Sequence, residues 1–504
     1  MSISFYLWMW PALLAFLLLV VLGHSEAAWR RRRLVAEISA GLLLAGLPFL
    51  AATQFAPLSQ VFLGLVHLWG LLLAARILFG RLPEAFLRRS THINSIIALA
   101  LFIVVFDARL LIDTMRLPEV PYDKILILSL LVAIIVALGL LYQIMWTLKH
   151  YRLRHIDASL QLKDLPTVTL AIPARNETHA LQASLQAAVA SDYPKLEIIV
   201  LDDCSQDKTS AVIRAFAHDG VRFVQGAVPA EGWLGKNQAM RTLAEQASGD
   251  YIIFAGVDTH VSPQSISKLV AYALSNKLEM VTVLPQRRDR VSSATLLASL
   301  RYYWQIAMPI TARRVPVASQ AWLIRRATLK KLGGFEAVQQ KIVPESYFAR
   351  ILFVHDQYRF VISNIDLGVT TAKRWSSQIE SSIRFLYPTC KRQPYAALLA
   401  VLLLAGVMIL PFAVLAWMPS DNLHIFVPAI IAAILLWLGY GFVVIRTHPH
   451  SWLLTWLLFP VSLVQELLLL LASMFTYEFG DVNWKGRNVC YPVIHQPFNT
   501  VSKK

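Results

Sequence analysis

Apolar residues run through this chain in blocks long enough to cross a bilayer, about 18 to 25 residues each, on both sides of one long stretch where they come in short runs. Five blocks precede residue 150: Ile3 to Gly23, Leu34 to Phe55, Val61 to Leu78, Ile93 to Leu111 and Ile125 to Leu148. Three more follow, at Ala396 to Trp417, Ile425 to Ile445 and Trp452 to Phe475. Between about Leu165 and Arg384, VTLAIPA, KLEIIVLDD, VRFVQG, DYIIFAG and LEMVTV read as strands, and the segments between the first four carry apolar residues at helical spacing. Strands alternating with helices predict a parallel sheet covered on both faces, with ligands at the carboxyl ends of the strands. The expected domains are a transmembrane region over 1–150, an α/β domain over 165–390, membrane helices over 395–476 and a tail over 477–504.

Composition agrees with a membrane protein. The 504 residues are 56% hydrophobic and 15% charged, with a mean hydropathy of +0.53, more apolar surface than a water-facing fold can bury. The net charge of +16 does not require nucleic acid, because its excess follows membrane topology. Arg30 to Arg33, then Arg76, Arg81, Arg88 and Arg89, then Lys149, Arg152 and Arg154 follow the first, third and fifth blocks. The positive-inside rule then puts the amino terminus outside and the chain from Lys149 onward in the cytoplasm of a cell with this protein in its inner membrane. The first block lacks a basic n-region and an A-x-A-like site, so it reads as an anchor. Asp107 and Arg109, in the fourth block, either line a polar path or snorkel to the interface. Cys204, Cys390 and Cys490 have unrelated spacings, with neither a disulfide ladder nor a zinc pattern, as in a reducing compartment.

The polar letters of the α/β domain gather at strand ends, in PARNE, DDCSQD, GWLGKN and GVDTH. A triphosphatase loop at EGWLGKNQA is excluded, since Ala230 stands where the first glycine belongs and Asn237 replaces the Ser/Thr that would hold magnesium. No G-x-G-x-x-G follows a strand. Taken in order, PARNE, LDDCSQDKT, GWLGKNQA, the Asp-Thr after the fourth strand and LIRRATLKKLGGFEAV resemble glycosyltransferase family 2, and the flanking spans with the closing DVNWKGR resemble its integral-membrane branch that glycosylates lipids such as ceramide, hopanoids or carotenoids. The resemblance implies an α/β GT-A-like nucleotide-sugar domain inserted between two α-helical transmembrane regions. It further implies an inverting transfer of a sugar from a UDP-linked donor to a membrane lipid hydroxyl.

Residue by residue, the resemblance puts Asp202 and Asp203 on the nucleotide, where a carboxylate accepts from the uracil N3–H, although either one could instead cap the next turn. Pro173, Arg175 and Glu177 fall at the nucleotide edge, with a local salt bridge as the alternative for the charged pair. Lys236 compensates diphosphate charge or is a solvated lysine, and Trp233 stacks on a sugar or plugs its loop. Asp258 keeps the second position of the D-x-D pattern that holds a divalent metal, Mg or Mn, while Gly256 replaces the first carboxylate. One remaining carboxylate still suffices for a magnesium site completed by phosphates and water. His260 is a further ligand or a surface histidine. Direct displacement needs a base, and aligning Ala349-Arg350 puts Glu345 at its position, whereas aligning on the glutamate puts Ser346 there. Thr371 to Trp375 partly echoes the Gln-x-x-Arg-Trp motif of processive synthases, so Trp375 contacts an acceptor or belongs to an interfacial helix.

Lys485 and Arg487 are expected at the diphosphate. Three full crossings after residue 395 would carry them to the opposite side of the membrane, so one segment must re-enter, and the last, with Pro460 and Glu466, is the candidate. A processive polysaccharide synthase and a catalytically degenerate scaffold remain the alternatives, since both departures, Gly256 and the Glu345 segment, fall on catalytic positions.

Overall fold

The computed structural model describes residues 3–52, 57–80, 84–114, 122–151, 165–288, 297, 300–417, 422–479, 482–485 and 487–488. Arg81, Arg152, Arg154, Cys490 and the side chains of Asp107 and Arg109 lie outside the described residues. The amino-terminal region is built from α1 (Ile3–His24), a short α2 (Glu26–Arg30), α3 (Arg32–Ala52), α4 (Pro57–Phe79), α5 (Glu84–Thr114) and α6 (Tyr122–His150). Among the described residues, six helices of the chain are long and apolar enough to span a membrane, three on each side of the sheet domain, plus a shorter apolar run at Met9–His24. The expected second span is the helix α3.

The central domain runs β1 (Val168–Ala174), α7 (Thr178–Val189), β2 (Leu196–Asp202), α8 (Thr209–Ala215), β3 (Val221–Gln225), α9 (Gly235–Gln246) and β4 (Tyr251–Ala255). Next come β5 (Thr259–His260), α10 (Ser265–Ser275), β6 (Met280–Leu284), β7 (Gln286–Arg287), α11 (Arg301–Ala307), β8 (Ala321–Arg325) and α12 (Arg326–Lys331). It closes with α13 (Glu345–Val354), β9 (Tyr358–Ile362), β10 (Thr370–Thr371) and α14 (Trp375–Thr389). The sheet order is β3-β2-β1-β4-β8-β6-β9. The expectation of a purely parallel sheet is corrected by β8, which pairs antiparallel with both β4 and β6. Its residues, AWLIR, run into the start of the LIRRATLKK motif and look no different from a parallel strand, because both kinds are buried on two faces here and lose their alternation.

The two faces sort by register. Ile252 and Phe254 of β4 join a core with Trp322, Phe335 and Phe348, whereas Tyr251, Ile253 and Ala255 join the opposite core with α7 and α10. The Gly333-Gly334 pair ends α12 with two positive φ values, 87° and 58°, and turns Phe335 into that aromatic core. Asn237, buried in α9, donates to the carbonyls of Val338, Gln339 and Lys341. The residue that argued against a triphosphatase thus pins the segment leading to Glu345.

The first core continues into the membrane helices. Tyr303 of α11 meets Tyr440, which stacks on Phe459 with ring centroids 4.3 Å apart. Those partners belong to the carboxyl-terminal helices: α15 (Pro394–Leu403) and α16 (Leu410–Trp417), joined through a π turn at Leu404–Ile409, then α17 (Leu423–Thr447), α18 (Trp452–Leu457) and α19 (Phe459–Phe479). The carboxyl end of α17 touches the domain, where Gln286 Nε2 donates to Arg446 O at 3.0 Å. From there α18 turns back along α17, with Trp456 and Trp437 exchanging indole-to-carbonyl hydrogen bonds. Helix α19 then returns beside α14, through Trp375–Gln465, Tyr387–Ser473 and Tyr477–Arg384 bonds. The last apolar segment therefore enters and leaves on the side of the sheet domain, and a hairpin of β11 (Asn483–Trp484) and β12 (Arg487–Asn488) follows it.

Candidate active site

Two groups of residues sit at the carboxyl ends of β1, β2 and β4. At β1 and β2, Arg175 Nη1 donates to the carbonyls of Asp203 and Cys204, and its Nε donates to Lys485 O at 2.9 Å. The tail hairpin is therefore fastened to this edge. Arg487 Nη1 pairs with Asp203 Oδ2 at 2.6 Å, and Lys485 Nζ pairs with Glu177 Oε1 at 2.8 Å. Burial pushes the Asp203 carboxyl up, against the downward pull of Arg487 and Arg175. Burial likewise raises Glu177, against Lys485. Arg175 and Glu177 do not pair with each other; each answers to the tail. Lys485 and Arg487, expected at a diphosphate, pair here with the carboxylates Glu177 and Asp203. Pro173 lies in β1 opposite Leu201.

Asp202 differs from its neighbour. Its Oδ1 accepts from the Ser205 amide at 3.0 Å and its Oδ2 from the Ser210 hydroxyl. Both oxygens take part in fixing the turn into α8, the capping alternative expected for one of the pair.

The second group surrounds Asp258. The short strands β5, β10 and β7 form a separate three-stranded sheet, pairing Thr371 with Thr259 on one side and with Arg287 on the other. Ala372 N and Thr371 Oγ1 both donate to Asp258 O. This brings Lys373 to the Asp258 turn, and the lysine Nζ donates to Ser381 Oγ at 2.7 Å. Burial lowers the Lys373 ammonium to about 8, while Asp258 draws it up. Burial also lowers Lys236, with Glu345 acting in the opposite sense. His260 is half-buried, held low by burial and by Arg288, and its Nδ1 has no hydrogen-bond partner among the described residues; it is not a surface histidine.

Glu345, at the first turn of α13, is 0% exposed. Ser319 donates to its Oε1, and Oε2 has no hydrogen-bond partner among the described residues. Arg301, Lys236 and Arg384 all feel its charge.

A cavity of 780 Å³ opens from this cluster toward the membrane helices. Asp258, Arg287, Arg301 and Lys373 line its polar end, while Leu140 of α6, Leu404 and Met408 of the π turn and Leu470 of α19 line the other. Glu345, Trp233 and Trp375 are not among its lining residues. Trp233 is 7% exposed and plugs its loop into the core, with the Arg241 guanidinium 5.3 Å above its ring. Trp375, 38% exposed, opens α14 and bonds Gln465 of α19. Of the alternatives expected for these two tryptophans, Trp233 takes the one in which it plugs its loop, and Trp375 ties α14 to α19.

The comparison with known families decides what such a domain is. The family model described as glycosyl transferase family 2 matches residues 169–333, from β1 to the first glycine of the Gly-Gly pair. Residues 169–333 belong to glycosyl transferase family 2. The family 2 segment contains Asp202, Asp203, Lys236 and Asp258, and stops short of Glu345, Lys373 and the tail. A probable glycosyltransferase of Bacillus subtilis, YdaM, is 29% identical over 187 residues, 35% of this chain and 44% of the relative. The undecaprenyl-phosphate 4-deoxy-4-formamido-L-arabinose transferase of Pectobacterium carotovorum is 26% identical over 147 residues, 28% of this chain and 45% of the relative. The chain thus spans less than half the length of these relatives. Among solved structures, the mannosyltransferase PcManGT of Pyrobaculum calidifontis, in complex with GDP-Man and Mn2+, aligns with a TM-score of 0.44 and 17% identity over 70% of this chain and 98% of that one.

The cluster that sequence reasoning missed is cationic: Arg287, Arg301, Lys373 and Arg384 come from β7, α11, the segment after β10, and α14. No local spacing joins them. Lys373 alone carried a signal, through its place beside Arg374-Trp375.

Proposed function

We propose that this chain is an inverting glycosyltransferase that moves a sugar from a UDP-linked donor to a hydroxyl of a membrane lipid, with its family 2 domain on the cytoplasmic face of the inner membrane. The cavity is the observation that carries this reading: one 780 Å³ space has a cationic end at Asp258 and an apolar end among the membrane helices. A soluble acceptor needs no such apolar end. At the donor end, Asp203 receives the uracil, Arg175 and Glu177 hold the edge, and the Lys485–Arg487 hairpin closes over the nucleotide. Lys236 and Lys373 offset the diphosphate charge in a half-buried site, where each charge acts more strongly than in water.

A divalent cation, Mg or Mn, fits this turn through a single protein carboxylate. Among the described residues no group of three or more His, Cys, Asp or Glu side chains could hold it, so Asp258 would share it with the donor phosphates, as hard cations allow. When bound it would neutralise the departing diphosphate. The acceptor oxygen bonds the anomeric carbon as the carbon–oxygen bond to the diphosphate breaks from the opposite side. The acceptor proton passes to Glu345, whose Oε2 has no hydrogen-bond partner among the described residues; because Glu345 is buried beside the cavity and does not line it, this step requires the site to open toward it when the substrates bind.

The test is transfer from a panel of nucleotide sugars by the purified protein in lipid, with and without Mg or Mn. Turnover that requires metal is expected, with both Asp258→Ala and Glu345→Gln lowering it by about a hundredfold or more. Uridine nucleotide binding without turnover in the wild type, unaffected by Glu345→Gln, would turn the reading to a degenerate scaffold. A polymeric product would turn it to a processive synthase.

A further inference from the structure

We infer that Glu466 is the acceptor-binding carboxylate of this cavity: it takes a hydrogen bond from a head-group hydroxyl of the lipid other than the one that receives the sugar, which makes the acceptor a lipid with more than one hydroxyl. The inference rests on the cavity being an acceptor site, as proposed above, and requires no particular sugar.

Glu466 stands in α19 within the otherwise apolar run VQELLLLL and is 3% exposed. A carboxylate in such a place is costly unless its lone pairs are used. Only half of it is accounted for. Oε1 accepts from the Trp304 indole Nε1 at 3.2 Å, whereas Oε2 has no hydrogen-bond partner among the described residues. The residue lines the cavity together with Leu470, one turn further along α19. Its neighbour Gln465 is already engaged, bonding Leu297 O and Trp375, so the orphaned oxygen is the carboxylate's own.

Neutral groups take part in holding the cations of the cavity. Arg314 donates to the carbonyls of Trp304, Met308 and Pro309, and Lys373 to Ser381. Arg301 donates to Ser319 and lies over the Phe385 ring, and Arg287 donates to Gln378. A hydroxyl supplies the single donor that Oε2 lacks, and the hydrocarbon behind it meets Leu404, Met408 and Leu470. A lipid with the same tails and no alcohol hydroxyl offers Oε2 no such donor.

A hydrophobic carbodiimide, which modifies carboxyl groups in apolar surroundings, reads this directly in the full chain. Reaction of the wild type in phosphatidylcholine vesicles with dicyclohexylcarbodiimide is expected to give an adduct at Glu466, located by mass spectrometry and lost in Glu466→Gln. Dioleoylglycerol in the vesicle is expected to lower that labelling about tenfold, the scale of one hydrogen bond to a charged group, and dioleoyl phosphatidic acid, with the same tails, to leave it unchanged. Labelling indifferent to dioleoylglycerol, or lowered equally by both lipids, would overturn the inference. UDP binding to Glu466→Gln at wild-type affinity separates a local loss from an unfolded variant. Protection without any sugar transfer would count against the proposed function and leave the role of Glu466 standing.

Discussion

A Cβ on Gly256 would stand 2.9 Å from Asp258 Oδ1, closer than side-chain atoms pack. The contact is with the far end of the Asp258 side chain, which can swing aside, so the turn holds a single acid without its backbone excluding a second. Charge that a second acid would have drawn in through metal is met here by cations. Lys373 is the one with a readable pH signature, because burial holds it at about 8. Below that pH the ammonium is charged and supports a diphosphate; above it the charge goes. The affinity for UDP is expected to fall as pH rises from about 7 to about 9, where an ordinary lysine would still be charged, and Lys373→Arg is expected to flatten the profile. Isothermal titration across that range checks it. At this scale the sequence exposed Asp203 and Asp258 through strand-end position. It left open whether Asp202 bound ligand or capped a turn, since that depended on where Ser205 and Ser210 would point.

At the scale of elements, the helices were legible because each span is a run of apolar residues, and four strands because each is a run of buried ones. The two-residue strands β5, β7 and β10 were not, since two residues carry no period; yet they bring Asp258, Arg287 and Lys373 together. One contact between elements also has no sequence signal. Arg76 at the end of α4 pairs with Glu478 of α19 at 2.9 Å, and Tyr387 of α14 donates to the same carboxylate. All three side chains are buried, so removing one partner strands the others. Arg76→Ala or Glu478→Ala is expected to cost about 3 to 5 kcal/mol, seen as a lowered unfolding midpoint in detergent, with α14 and α19 becoming open to limited proteolysis. An unchanged midpoint would show the pair to be dispensable. Because α19 carries Glu466 and α14 carries Ser381, the partner of Lys373, loosening this joint is expected to reach the cavity from both sides.

For the whole molecule, the tail matters most. Arg487 and Lys485 reach the nucleotide edge from nearly the far end of the chain, after eight apolar segments. Sequence could state the conflict between three crossings and a tail at the active site. It could not resolve it, because α19 is apolar enough to cross, whereas in the structure it packs along α14 beside the sheet domain. Count the passages after the sheet domain and the result is even: out through α15 and α16, back through α17. A reporter fused to the carboxyl terminus should therefore share the compartment of the sheet domain. A green fluorescent protein there is expected to glow and an alkaline phosphatase to stay silent, the reverse of what a hydropathy count of three passages gives. Under the proposed function, the same arithmetic means that both ends of the catalytic machinery would draw on the donor pool of one compartment alone, while a lipid acceptor would arrive sideways through the bilayer.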